Sequence, residues 1–388
     1  MRKNHVLKTE RTAVMETKKV DFGYGCLRLP LKEENGESVM DFDKICACFD
    51  TYMASGFNYF DTAYIYMNYK SEDMVRRALV ERYPRDSFRL STKMPLRDFK
   101  DEADLEVIFD KQLKNCGVGF FDFYLLHDFG HMVAQKCYDA HIFDFLKRIK
   151  EDGRAKQTGV SFHDEPELLE EMVQRFGDTF DFLLLQVNYV DWENPIVQSR
   201  KCLEVAKKYN KPVVVMEPCK GGTLNKIPEE AEKLLKEYNP EASIASWAMR
   251  FAGSQDGVVR VLSGMNELFQ VEDNVKTFKD FKPLNSEEYA ILDKVVGIIN
   301  SNTKIPCTGC SYCTHDCPMQ IPIPKYFEVY NNYMRHTGYK MNSSFIYYGQ
   351  LTHVHTKPDE CIKCGQCEEA CPQHLPIRAY LEEIAATF

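Results

Sequence analysis

The chain has 388 residues, of which 44% are hydrophobic and 12% aromatic, with a formal net charge of −9. That length exceeds what one core usually organises, so two domains are expected, with apolar mass enough for a large packed fold. The acidic balance argues against nucleic acid or an anionic membrane as partner, and no run approaches the roughly 18 apolar residues of a membrane span. The polar start "MRKNHVLKTE" has no signal-peptide core behind it, so a cytoplasmic protein is expected.

Residues 1–19 read as an N-terminal extension. From Val20 to about residue 283, eight short apolar runs alternate with amphipathic segments. In order they are "VDFGYGCL" from Val20, "FNYFDTA" from Phe57, "FRLSTKM" from Phe88 and "DFYLLHD" from Asp122. "AKQTGVSF" from Ala155, "DFLLLQVNY" from Asp181, "KPVVVMEP" from Lys211 and "GVVRVLSG" from Gly257 complete the set. Each is too short for a helix, rich in β-branched and aromatic residues, and bounded by Gly, Pro, Asn or Asp. Between them, "SEDMVRRALVERY" opens on Ser71 as a candidate N-cap, and "DEPELLEEMVQRFG" pairs Asp164 with Glu167 as a possible capping box ending at Gly177. Eight strand–helix repeats predict a parallel sheet, best solved at this length as a closed (β/α)8 TIM barrel over residues 20–300. An open doubly wound sheet is second, since no strand is followed by G-x-G-x-x-G.

Chemistry in such barrels sits where the strands end. The polar residues there are Asp61, Lys93, His127, Ser161, Gln186, Glu217 and Ser263. Lys93 and His127 each follow an apolar strand directly, so a charge there points into the mouth or carries a desolvation cost.

Three separated motifs resemble the aldo/keto reductase family over roughly Val20 to Phe281. "FDTAYIY" matches the family's Asp and Tyr, here Asp61 and Tyr66; "LSTKM" matches its lysine, Lys93; "YLLHDF" matches its histidine, His127. The resemblance implies a catalytic tetrad for carbonyl reduction or alcohol oxidation, acting on a small-molecule substrate with NADP or NAD. A tyrosine is a poor acid–base group at neutral pH and needs a neighbouring cation. Lys93 would supply it, Asp61 would hold the ammonium, and His127 would orient the substrate oxygen. The resemblance further implies dinucleotide contacts from Ser161 in "GVSFH", Gln186 in "QVNY", and Met216, Pro218, Lys220, Gly221 and Gly222 in "VMEPCKGGTL". In "LSGMNELFQVEDNV" it implies Ser263, Gly264, Gln270 and Asn274. Three positions depart from the family's pattern: Phe162 replaces an asparagine, Met216 a stacking aromatic ring, and Gln270 a basic residue for the 2′-phosphate of NADP.

The segment "PLNSEEYAILDKVVGIIN" reads as a helix capped near Asn285 or Ser286 that leads out of the barrel. Residues 301–388 then change character. The sequence has 15 cysteines, many for a reducing compartment, and eight of them fall in "CTGCSYCTHDCP" from Cys307 and "CIKCGQCEEACP" from Cys361. The other seven (Cys26, Cys46, Cys48, Cys116, Cys137, Cys202 and Cys219) read as small buried hydrophobes, with Cys219 the one to watch. Both groups follow C-x2-C-x2-C-x3-C-P, the bacterial two-cluster ferredoxin spacing, in which the fourth cysteine serves the other cluster. Two [4Fe-4S] clusters are therefore predicted, one on Cys307, Cys310, Cys313 and Cys371, the other on Cys361, Cys364, Cys367 and Cys317. Tetracysteine zinc sites are the competing reading. His315 and His374 read as exposed loop residues, and "IPKYFEVYNNYMRHTG" as a helix in the insert between the groups.

Clusters exchange single electrons and a nicotinamide exchanges two. The alternative function is therefore a cluster-fed redox enzyme whose barrel binds substrate or flavin, with an external electron-transfer partner. Two clusters suggest a low-oxygen, anaerobic setting.

Overall fold

The computed structural model describes residues 20–301, 303–335 and 343–388; the expected extension over residues 1–19 lies outside them. Eight strands coincide with the eight apolar runs: β1 (Asp21–Gly25), β2 (Tyr59–Asp61), β3 (Arg89–Pro95), β4 (Phe121–Phe129), β5 (Ala155–Phe162), β6 (Phe182–Gln186), β7 (Val213–Met216) and β8 (Val258–Gly264). All neighbours pair in parallel, and β1 closes the ring by pairing with both β2 and β8. The fold is the closed barrel, not the open sheet.

Side chains alternate between the two faces of a strand. One set, including Phe22, Tyr24, Leu90, Tyr124, Val160 and Leu183, packs outward in the main core. The other set fills the barrel with Tyr59, Phe123, Leu125, Phe182, Leu184, Val214 and Leu262. At the lower end Arg260 is buried, bonded to Asp21 at 2.7 Å and lying 3.8 Å from the Tyr59 ring centre, so a cation stacked on an aromatic closes the floor.

Several local expectations are corrected. Ser71 is not a cap. It is the first residue of a helix (Ser71–Val75), and its hydroxyl is engaged by Thr62 Oγ1 at 2.8 Å and the Cys26 carbonyl at 3.1 Å. The box between Asp164 and Glu167 does not form, because Asp164 accepts instead from His131 and from the Glu165 N–H, and the helix Pro166–Phe176 starts without a side-chain cap. Asn285 does cap the helix Ser286–Ser301, accepting from the N–H groups of Glu287 and Glu288 at 2.9 Å. A two-stranded hairpin, Leu31–Glu34 with Glu37–Met40, was not read from the sequence; Asn35 and Gly36 both take positive φ at its turn.

A second core forms around the helices Ile323–Arg335, Ser343–Val354 and Ile377–Thr387, and it draws in Ile196 and Val197 from the barrel. The first of these lies within the stretch expected to be helical, whose last residues, 336–338, fall outside the described ones. This domain is docked rather than tethered. Asn194 donates to Glu328 at 2.8 Å, and Lys325 is ion-paired with Glu165. The helix Ser343–Val354 packs on His131–Asp139, the helix that follows β4. Gly130 precedes that helix and has no side chain to cap it. Gln350 does so from the other domain, accepting from the Met132 N–H at 2.9 Å. The approach requires glycine: a Cβ on Gly130 would fall 2.2 Å from Gln350 Nε2, and one on Gly349 would fall 2.6 Å from Met132 Sδ. Among the described residues, no helix is long and apolar enough to cross a membrane.

Replacing Gln350 by Ala strands a part-buried helix N–H. Chemical denaturation is expected to show a loss of about 1–2 kcal/mol, and proteases to cut the helix Ser343–Val354 faster than in the parent.

Candidate functional site

The inward register that fills the barrel carries one step further up into the mouth. Two residues above Tyr59, Leu125, Leu184 and Val214 stand Asp61, His127, Gln186 and Met216. By the same alternation, Lys93 follows Ser91 on β3 and Ser161 follows Gly159 on β5. A polar layer thus caps an apolar one.

At its centre Lys93 is fully buried and donates to Asp61 Oδ2 at 2.5 Å and to the Thr62 carbonyl at 2.7 Å. Burial pulls its ammonium toward neutrality, but the Asp61 carboxylate and the Tyr66 phenol outweigh this and hold it above its ordinary value. The Lys93 nitrogen lies 4.8 Å from the centre of the Tyr66 ring, and that ring meets His127 edge-on at 5.4 Å. Burial pushes the Tyr66 phenol up and Lys93 pulls against it; the net direction is upward. His127 is driven well below its ordinary value by burial, then by Lys93, His163 and Arg97, so its imidazole is neutral. The structure therefore brings Asp61, Tyr66, Lys93 and His127 together.

Tyr66 reaches the mouth on an unusual turn. Met67, Asn68 and Tyr69 follow it with φ of 53°, 54° and 64°. Such residues cost roughly 1–2 kcal/mol each, a strain typical of functional sites. The neighbouring helix anchors the turn to β3: buried Glu72 accepts from Thr92 at 2.7 Å and Gln112 at 2.8 Å.

The dinucleotide positions divide. Ser161 Oγ lies 3.4 Å from His163 Nε2 and 3.9 Å from Met216 Sδ. Gln186 donates to Asp191 at 2.7 Å while its Oε1 is buried with no partner. Asn274 and Ser263 are joined at 3.2 Å. Pro218 is buried at the start of the loop that continues through Gly221 and Gly222, and Gly264 is exposed at the end of β8. Lys220 and Gln270 differ from expectation. The Lys220 ammonium is buried against Asp191 at 2.5 Å, a carboxylate that burial would raise but Lys220 holds low. Gln270 turns back on its own helix, accepting from the Asn266 N–H at 2.8 Å. Phe162 points outward into the core. Cys219 is no reactive thiol, since burial and then Asp273 and Glu217 push it up to about 12.

Two groups at the mouth escaped the sequence reading. His163, directly after the strand-end "SF", is buried with its Nδ1 unpartnered and is driven down to about 4, first by burial and then by Arg97. Asp128 pairs with Arg97 at 2.7 Å, yet burial pushes it up to about 7. The signal for both was adjacency to a strand-end residue already singled out.

In the second domain the eight motif cysteines gather in two sets. Cys307, Cys310, Cys313 and Cys371 line one small cavity with Phe327 and Pro324. Cys317, Cys361, Cys364 and Cys367 line another. In each set the fourth cysteine of one motif joins three of the other. Among the described residues, no three His, Cys, Asp or Glu side chains converge tightly enough for a single metal ion. Four sulfurs around one cavity, not converged on a point, suit a polynuclear cluster better than zinc, which needs sulfur at about 2.3 Å. Cys313, Cys317, Cys367 and Cys371 are buried and Cys364 is exposed. The Gly309 N–H donates to Cys307 Sγ at 3.4 Å, and His315 and His374 are exposed.

The sequence model of the Aldo/keto reductase family matches residues 23–296, and that of the 4Fe-4S dicluster domain matches 306–375. The F420-dependent formate dehydrogenase subunit beta of Methanocaldococcus jannaschii is 28% identical over 134 residues, 33% of this chain and only 32% of that subunit. The uncharacterized oxidoreductase YqkF of Bacillus subtilis is 22% identical over 70% of this chain and 91% of its own. A Klebsiella pneumoniae aldo/keto reductase solved with NADP and acetate superposes with a TM-score of 0.57, covering 72% of this chain and 95% of that one at 18% identity. At that identity the likeness speaks for the fold.

His163 sets a pH dependence. With its folded value near 4 and its unfolded value near 6.5, the unfolded state binds more protons between them, so its contribution to stability is lost as pH falls through that window. Asp128 acts in the opposite sense, so the difference between parent and His163→Gln is the measure. Thermal unfolding should show the parent losing ground to the variant from about pH 6.5 to 4, by at most about 1.4 kcal/mol per pH unit.

Proposed function

The chain belongs to the aldo/keto reductase family and is an oxidoreductase of that type carrying a 4Fe-4S dicluster domain. On that premise we propose that it reduces the carbonyl of a small molecule, or oxidises the corresponding alcohol, with NADP or NAD as partner and Asp61, Tyr66, Lys93 and His127 as its machinery. The observation that carries this reading is the buried Lys93 ammonium, fixed by Asp61 and set against the Tyr66 ring, with a neutral His127 beside it.

A bound nicotinamide supplies the hydride. Tyr66 is the proton donor: its net upward shift keeps the phenol protonated in the resting site, and Lys93 stabilises the phenolate left when the proton passes to the developing alkoxide. Asp61 keeps the ammonium charged and oriented. His127, neutral, hydrogen-bonds the carbonyl oxygen without competing for the proton. Ser161 and the open Oε1 of Gln186 suit a nicotinamide carboxamide, and Met216 offers a polarizable apolar wall for the ring. The Klebsiella neighbour's NADP supports that dinucleotide. Gln270 and Lys220 supply no free cation for a 2′-phosphate, which leaves NAD as the other choice.

The two cysteine sets would hold two [4Fe-4S] clusters with crossed ligation, exchanging single electrons with an external partner or bracing the domain. The exposure of Cys364 puts one set at the surface.

Tyr66→Phe should lower carbonyl-dependent NADPH oxidation by roughly 10²–10⁴-fold while cluster absorbance stays at the parent level; full activity would sink the mechanism. For the crossed sets, Cys310→Ser and Cys371→Ser should each remove about half of the iron, and the double variant no more than either alone. A double variant stripped of nearly all its iron would mean uncrossed ligation.

A further inference from the structure

The mouth is lined partly by the other domain. Tyr347, on the helix Ser343–Val354, is only 6% exposed. Its ring meets that of His163 edge-on, with centres 6.3 Å apart. His163 in turn faces Ser161 through Nε2 and leaves a buried Nδ1 without a partner. Burial, Cys202 and the carboxylates of Asp191, Asp164 and Glu217 all push the Tyr347 phenol up, which sets it among groups carried just beyond β5, β6 and β7. Buried polar atoms without partners are rare in folded proteins and mark where a ligand or water completes the set.

The charge pattern defines what fits. Arg97 is paired with Asp128 at 2.7 Å, Arg28 with Glu217 at 3.6 Å and Lys220 with Asp191 at 2.5 Å, so these mouth cations are already matched. The buried orphan oxygens, Asp128 Oδ1 and Glu217 Oε2, are acceptors that need donors. Among the described residues, an anion there would meet cations that already face carboxylates, whereas a hydroxyl finds acceptors and a phenol able to donate or accept.

We propose that Tyr347 and His163 form a substrate subsite at the seam between the two domains, binding a neutral hydroxyl group of a carbonyl compound at a distance from the carbonyl itself. Tyr347 is thereby a specificity-determining residue, and the cluster domain contributes to substrate choice in the barrel. The subsite rests on the reductase reading in taking a carbonyl compound as its occupant.

The test is equilibrium titration of full-length, cluster-loaded protein with glyceraldehyde and with propanal, which need no turnover to bind. The parent should prefer glyceraldehyde, and Tyr347→Phe should cut that preference about fivefold, with cluster absorbance reporting an intact domain. Loss of both affinities in parallel would reduce Tyr347 to a packing residue and overturn the proposal. So would an unchanged preference in the variant, or no preference in the parent. NADPH oxidation is assayed separately: Tyr347-dependent preference without any carbonyl-dependent oxidation would sink the reductase reading and leave the subsite standing.

Discussion

The closed ring of eight parallel strands constrains everything else in this molecule. Closure forces one set of alternating side chains inward, and a slip of one residue on any strand would send its whole inward set to the outer face. The apolar layer at Tyr59, Leu125, Leu184 and Val214 fixes that register. The residues above it therefore arrive at the mouth with no freedom to be elsewhere. Lys93 shows the energetic side of this. An ammonium buried without a partner is severely destabilising, so its place on β3 is tenable only because β2 delivers Asp61 alongside.

This explains how much could be read in advance. Strands buried on both faces appear as continuous apolar runs, and a titratable residue closing such a run has few places to go. Asp61, Lys93 and His127 were legible on that ground, as were the two cysteine motifs through their spacing. What was not legible depends on partners far away in the chain. Lys220 beside two glycines looks like a phosphate ligand, but Asp191, 29 residues earlier, claims it. Ser71 looks like a cap until Thr62 and Cys26 occupy its hydroxyl. His163 stood in plain view one residue beyond "SF" and gained meaning only when Tyr347 came to rest on it.

The relation between the domains changes character accordingly. Barrel and cluster domain share core residues at Ile196 and Val197, ion pairs at Lys325–Glu165, and a helix cap. The mouth has walls from both parts, while the floor is shut by Arg260 on Tyr59. The second domain sits at the end opposite that floor, against the segments that follow the strand ends.

The cap supplied by Gln350 has a temporal side. It lies 218 residues beyond the Met132 N–H that it satisfies. At ordinary rates of synthesis the ribosome needs roughly ten to forty seconds to cover that distance. For that interval the nascent barrel carries an unanswered helix N–H beside its histidine strand, and its mouth is finished only when the chain through Gln350 has been made.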